Sequence, residues 1–293
     1  MKKELNQFKV ALCISGQMRS YKACYKSLKK NIIDVFSPDI FIHTWSVSGT
    51  SNNLDRLFKP EDFQKLAPKY KEHVITENIL KKLYSPKAII IEDYQKEFSD
   101  YLDEIKVPDI LKEVENDNYK GTLPMYYKIW KCNELKKKYE LENHFKYDLV
   151  IRIRPDIELL EKLPLALLYG NSDSFFRFTY HHGKYPGKFF TDQIAVGSSH
   201  SIDYYSSIFL FLKKYWEVPL GNKKELLDNG FSKKDLCDYP FNLCHRVGER
   251  ISTYHMIKYK KSIIDINTKF RLKRIKLSGL KLYKYKLIKK IIN

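Results

Sequence analysis

Apolar residues fill positions 10–14 without a gap, and the run stops at Ser15-Gly16-Gln17. A short unbroken apolar run closed by a turn signal predicts a strand buried on both faces, here over residues 8–14. Beyond it Tyr21, Leu28 and Ile32 recur at helical spacing, which gives the order strand, turn, helix. Residues 39–45, Asp-Ile-Phe-Ile-His-Thr-Trp, predict a second buried strand, and residues 88–91 a third after a polar, helix-prone insertion. Residues 123–139 place Met125, Ile129, Trp130, Cys132 and Leu135 at helical spacing, with Gly121 and Pro124 suited to the helix start.

The most informative segment is residues 147–158, Tyr-Asp-Leu-Val-Ile-Arg-Ile-Arg-Pro-Asp-Ile-Glu. At period two Leu149, Ile151 and Ile153 point one way, and Val150, Arg152 and Arg154 the other. If extension persists past Pro155, Asp156 and Glu158 join the arginines along one edge. Strand-like sequence with turn signals follows over residues 174–199, then helical patterns over 201–216 and 243–256. Alternating strands and helices predict an α/β fold: a mainly parallel central sheet with helices on both faces. Ligands of such sheets gather beyond the carboxyl ends of the strands.

Charge divides the chain. Its net value is +18, and residues 258–293 hold 13 Lys or Arg against the single acid Asp265, or +12, leaving +6 for the first 257 residues. The expected organisation is therefore one catalytic-sized domain over residues 1–257 and a basic helical tail over 258–293. In the tail Leu272, Ile275, Leu280, Tyr283, Leu287, Ile288 and Ile291 fall near one helical face, opposite Lys281, Lys284 and Lys289, with Gly279 as an interruption. Such a helix suits an anionic membrane surface, at about 1 kcal/mol per Lys or Arg. It also suits packing on the body with a solvated basic face. Nucleic acid is the other anionic partner, but the basic excess is confined to the tail and no nucleic-acid-binding motif is present.

Five cysteines, Cys13, Cys24, Cys132, Cys237 and Cys244, are odd in number and form no C-x-x-C pair. Neither a disulfide framework nor a zinc ribbon follows, and a reducing cytosol fits best. His181, His182, His245 and His255 with Cys237 and Cys244 match no zinc spacing. The apolar run at 10–14 is too short for a signal-peptide core, and no stretch reaches the roughly 20 apolar residues of a membrane span. The expected location is the cytoplasm, with peripheral attachment to the inner face of the membrane.

Arg152 and Arg154 can pair bidentately with phosphate oxygens, and Asp156 and Glu158 can hold a divalent metal, Mn or Mg, bridging the same phosphates. The plain alternative is that the arginines pair with neighbouring acids where Pro155 ends a strand. The turn Ser15, Gly16, Gln17, Met18, Arg19 offers a glycine, N–H groups at a helix start and a reachable cation, which suits a nucleotide or phosphate as well as an ordinary strand–helix turn. Asp192, in a turn before an apolar run, suits a base toward an acceptor hydroxyl or a capping acid. Glu249 suits a substrate-orienting group or a helix-start acid. Tyr127 and Lys128, with Tyr126, suit stacking on a base and contact with phosphate, or core packing. His43 reads as a core or cleft-edge residue.

Taken together, Ser15-Gly16-Gln17 with Arg19, Phe41-Ile42-His43-Thr44-Trp45, Met125-Tyr126-Tyr127-Lys128 with Cys132-Asn133, Tyr147-Asp148 with Arg152, Arg154, Pro155 and Asp156, and Asp192 with Gly197 resemble glycosyltransferase-like proteins of bacterial capsule and lipopolysaccharide gene clusters. The resemblance runs from about Val10 to about Glu249. It implies a GT-A-like nucleotide-sugar-binding fold, with residues 15–19 near the nucleotide and the Arg-Pro-Asp turn near the diphosphate. Glu158 stands where a stricter Asp-x-Asp pattern has a second Asp. The implied activity is transfer of a sugar from a nucleotide-sugar donor to a surface-polysaccharide or lipid-linked glycan acceptor. The alternatives are a transferase of a phosphorylated polysaccharide substituent and a nucleic-acid-binding protein using the tail. Donor, acceptor and stereochemical outcome stay open.

Overall fold

A computed structural model describes residues 7–49, 73–98, 118–171, 173–178, 181–182, 185–186, 191–217, 248–257, 263–266 and 268–273. Its centre is β1 (Val10–Ser15), buried at every position. On one side β1 pairs in parallel with β2 (Asp39–Trp45), which pairs in parallel with β3 (Ala88–Glu92). On the other it pairs in parallel with β4 (Leu149–Ile153). Three further elements complete this sheet: β6 (Phe175–Phe178), β9 (Ile194–Gly197) and β10 (Ile263–Ile266). The order is β10-β6-β9-β4-β1-β2-β3. Only β9 runs against its neighbours β4 and β6.

Period-two alternation splits the sheet residues between two cores, as a strand's geometry requires. Val10, Leu12 and Ile14 join Ile40, Ile42, Leu149, Ile151 and Ile153 on one face. That face is covered by α1 (Tyr21–Leu28), which runs on through a π-helical turn at Lys29–Ile33, and by α2 (Glu77–Tyr84). Ala11 and Cys13 join Phe41 and Val150 on the other. Its cover is α4 (Asn118–Glu142), α5 (Ser199–Ser206), α6 (Ile208–Glu217) and α7 (Gly248–Ile257), while the short α3 (Tyr94–Glu97) follows β3. Helices therefore lie on both faces, as the pattern predicts. Residue 123 was the expected start of α4, but the helix begins at Asn118 and takes in Pro124.

The sheet does not end with residue 257. β10 forms its edge, and β11 (Phe270–Leu272) pairs antiparallel with β5 (Ile157–Leu159), so Leu272 belongs to a strand and not to a tail helix. Between β6 and β9 the short strands β7 (His181–His182) and β8 (Tyr185–Pro186) form a separate hairpin. Residues 274–293, the rest of the expected amphipathic tail, lie outside the described residues, as do Cys237, Cys244 and His245. Cys13, Cys24 and Cys132 are free and buried. No helix among the described residues is long and apolar enough to cross a membrane.

Candidate functional site

The turn after β1 has a backbone that side chains resist. Gly16 has φ +117° and Arg19 φ +41°. The Gly16 N–H donates to the His43 carbonyl at 3.2 Å, and Arg19 N–H to the Ser48 carbonyl at 2.6 Å. Thr44 Oγ1 donates to the Gly16 carbonyl at 2.8 Å. A Cβ on Gly16 would meet nothing nearer than Pro155 Cδ at 4.0 Å, so the glycine is needed for its backbone and not for space. Gly16→Ala is expected to cost about 1–3 kcal/mol through that strain alone, read as a shifted urea midpoint with an unchanged slope.

The facing wall is the end of β4. Arg154 grips Asp156 with two bonds, Nε to Oδ1 at 3.0 Å and Nη2 to Oδ2 at 2.9 Å. Arg19 Nη1 reaches the same Oδ2 from the other wall at 3.3 Å. Burial pushes the Asp156 carboxyl up, but Arg154 and Arg19 outweigh it and hold it below its ordinary value. Of these cations Arg19 is the most accessible, with 33% of its side chain exposed against 17% for Arg154.

Because β9 runs antiparallel, its start lies beside the end of β4, with Ile153 opposite Ile194. This brings Asp192 to the same edge, its Oδ2 3.8 Å from Arg154 Nη1. Asp192 Oδ1 is buried with no hydrogen-bond partner among the described residues. A Cβ built on Gly248 would lie 3.4 Å from Asp192 Oδ2, and the Gly248 carbonyl accepts from Tyr126 Oη at 2.5 Å. The start of α7 thus borders Asp192. Glu249 is the next residue, and its side chain lies outside the described positions.

These residues surround the gap between the ends of β1 and β4. From β1 the chain proceeds outward one way to β2 and β3, whereas β4 lies on the other side. The strand order reverses there, and such a switch point is where open α/β sheets bind ligands. Gly16, Gln17, Arg19, Arg154, Asp156 and Asp192 lie around it, and Ser15 is buried beneath.

Arg152 does not line that opening. It shares a face with Val150, as its register predicts, but helices cover that face, and Arg152 is 1% exposed. Its guanidinium donates to Ser15 Oγ at 2.8 Å, to the Ser15 carbonyl at 3.4 Å and to the Asp192 carbonyl. Burial lowers its pKa from the ordinary guanidinium value, yet arginine stays charged in proteins. It ties the two walls together from beneath.

Tyr127 and Lys128 also differ from expectation. Lys128 Nζ is fully buried, 3.3 Å from the Trp45 ring centroid, and donates to Glu92 Oε2 at 2.6 Å and to the Thr44 carbonyl at 3.0 Å. Tyr127 Oη donates to Glu92 Oε1 at 3.1 Å, and His43 Nε2 lies 3.4 Å from that oxygen. Both residues therefore serve a Glu92-centred cluster at the ends of β2 and β3. Burial pushes the Glu92 carboxyl up, but His43 beside it and the hydrogen-bonded Lys128 ammonium prevail and hold it at about 2. Burial outweighs Glu92's pull on Lys128 and lowers that ammonium to about 8. The cluster reaches the site through Thr44, which receives Lys128 on its carbonyl and holds Gly16 with its hydroxyl. Glu92 was missed by sequence reasoning; the available signal was an acid directly closing the apolar run 88–91.

Asp156 and Glu158 turn to different partners. Extension fails at Pro155, where Ile157 N–H donates back to the Arg154 carbonyl at 3.3 Å. Glu158 then faces β11 and pairs with Lys273 at 2.8 Å and Arg271 at 2.5 Å. All four carboxylate oxygens are taken by cations. Among the described residues no group of three or more His, Cys, Asp or Glu is placed to hold a metal ion.

No family model matches the chain, and no curated protein does. What can be said of function rests on the site alone. Arg19 and Arg154 balance Asp156 and Asp192 at the strand ends, and the buried Arg152 beneath them leaves one positive charge in excess. Such a place favours an anion.

Proposed function

We propose that the chain is a glycosyltransferase with a GT-A-like fold that takes a sugar from a nucleotide-sugar donor and passes it to a glycan or lipid-linked acceptor. One observation carries the reading: Arg19 and Arg154, from opposite walls, meet at the switch point between β1 and β4 beside a glycine-bearing turn. A diphosphate there gains charge-assisted bonds from both guanidiniums and close backbone approach at Gly16. In transfer, the acceptor oxygen bonds to the anomeric carbon and the bond from that carbon to the diphosphate breaks, its electron pair leaving on phosphate. The hydroxyl proton passes to a carboxylate, the role this reading gives Asp192, whose buried Oδ1 has no hydrogen-bond partner among the described residues. The two arginines offset the charge that develops on the leaving group. Arg152 sets the spacing of the walls and touches no substrate. No step is assigned to a metal, since Asp156 and Glu158 are each committed to cations. The reading places the enzyme at the cytoplasmic face of the membrane, where lipid-linked acceptors are elongated.

The test is thermal shift with UDP, GDP and CMP and their sugar conjugates, with and without manganese. One nucleotide class is expected to raise Tm by several degrees at concentrations well above its Kd. Arg19→Ala is expected to weaken that nucleotide by roughly 10- to 100-fold, the loss of a charge-assisted hydrogen bond. The Tm of the free protein should stay nearly unchanged, because the side chain is one-third exposed. Absence of any nucleotide effect would overturn the reading.

A further inference from the structure

We infer that α1 and the end of β11 form one docking face for an anionic lipid bilayer, set beside the mouth of the β1/β4 crevice. Lys22, Lys26 and Lys30 are exposed at i, i+4 and i+8, so they share a helix face, and Lys29 stands next to them. Lys29 pairs with Asp34, whereas Lys22, Lys26 and Lys30 have no carboxylate partner within 4.0 Å among the described residues. Like charges at this spacing oppose helix formation, so the row works against the stability of α1 unless an anionic surface offsets it.

The second observation is where the described chain ends. Lys273 donates its N–H to the Asp156 carbonyl at 2.9 Å and accepts from Ser20 Oγ at 2.6 Å on its own carbonyl. The last described residue, Lys273, therefore sits between the Asp156 turn and the start of α1, and residues 274–293 follow it in sequence. They carry seven Lys or Arg and no acid. Ile275, Leu277, Leu280, Leu282, Leu287 and Ile288 are interleaved with those charges. Lysines beside apolar residues suit a headgroup layer over an acyl region, whereas a nucleic-acid backbone needs only the lysines. Held this way, the Asp156 turn lies close to the bilayer surface, and on the transferase reading the acceptor is lipid-linked.

The test is sedimentation of the full chain with vesicles of phosphatidylcholine alone and with about 30% phosphatidylglycerol, at low and high salt. Binding is expected to the anionic vesicles and to fall in high salt. The triple variant Lys22→Glu, Lys26→Glu, Lys30→Glu keeps residues 274–293 and is expected to bind on the order of 100-fold more weakly, since each lysine contributes about fivefold near an anionic leaflet. An unchanged Tm shows the triple variant is folded; should it not fold, Lys26→Gln with Lys30→Gln is expected to lose at least tenfold. Vesicle binding equal to the parent chain would overturn the docking face. So would tighter binding to duplex or single-stranded oligonucleotides than to vesicles, lost in the same variant. Nucleotide thermal shift in the triple variant separates the two readings: the docking face survives if vesicle binding is lost while no nucleotide ever stabilises the parent, and the transferase reading alone then falls.

Discussion

Arg152→Ala is expected to lower Tm by on the order of 10 °C, the largest effect of any single substitution at the site. The guanidinium is buried and bridges Ser15 to the Asp192 carbonyl. Truncation leaves buried acceptors without donors and a cavity under both walls. Together these cost roughly 3–5 kcal/mol, and a domain of this size loses about 2–4 °C per kcal/mol. Arg152→Lys should recover little, because one ammonium cannot span acceptors on β1 and on the 191–193 turn at once. Arg152→Met, which fills the space without the charge, should fall between the two. If Arg152→Ala instead melted with the parent chain while nucleotide affinity collapsed, the guanidinium would belong to the ligand site and not beneath it.

Glu92→Ala is expected to cost a comparable amount, roughly 3–5 kcal/mol, because it strands the fully buried ammonium of Lys128. Glu92→Ala combined with Lys128→Met should restore much of the loss, since an apolar side chain over Trp45 carries no orphaned charge. Acid provides an independent measure. The folded Glu92 carboxyl sits at about 2 against an ordinary 4.5, so as pH falls the unfolded chain takes up the proton first. The stabilisation is complete above about pH 4.5 and is lost between there and about pH 2, on the order of 3 kcal/mol in all. Urea midpoints followed over that range should slope steeply in the parent chain and less steeply in Glu92→Gln.

Local periodicity made much of the sheet legible. β1, β2, β3 and β4 fall within a residue or two of the apolar runs that predict them, and α4 contains the predicted helix. The two-sided burial of β1 follows from a run with no polar position. Side-chain direction along β4 was also readable, since Arg152 does share a face with Val150. What the sequence does not carry is which face a helix covers. That is a non-local fact, and it turned Arg152 from a rim residue into a buried brace, and Lys128 from a phosphate contact into a partner of Glu92. Pro155 shows the other limit. Whether a strand continues past a proline decides whether Asp156 and Glu158 point together, and the Arg154–Ile157 turn sends them to different partners. In the C-terminal region the count of lysines obscured the Ile263–Ile266 strand, since four residues that complete a sheet weigh little in a charge total.

The reversed direction of β9 has one more outcome. A strand that enters the sheet at the edge where its neighbours leave it delivers the residues just ahead of it, Thr191 to Gln193, to the ends of β1 and β4 without a helix to carry them there. Asp192 can then be exchanged while the pairing of Ile153 with Ile194 holds the strand in register. Side-chain chemistry at that edge and the integrity of the sheet are set by different residues.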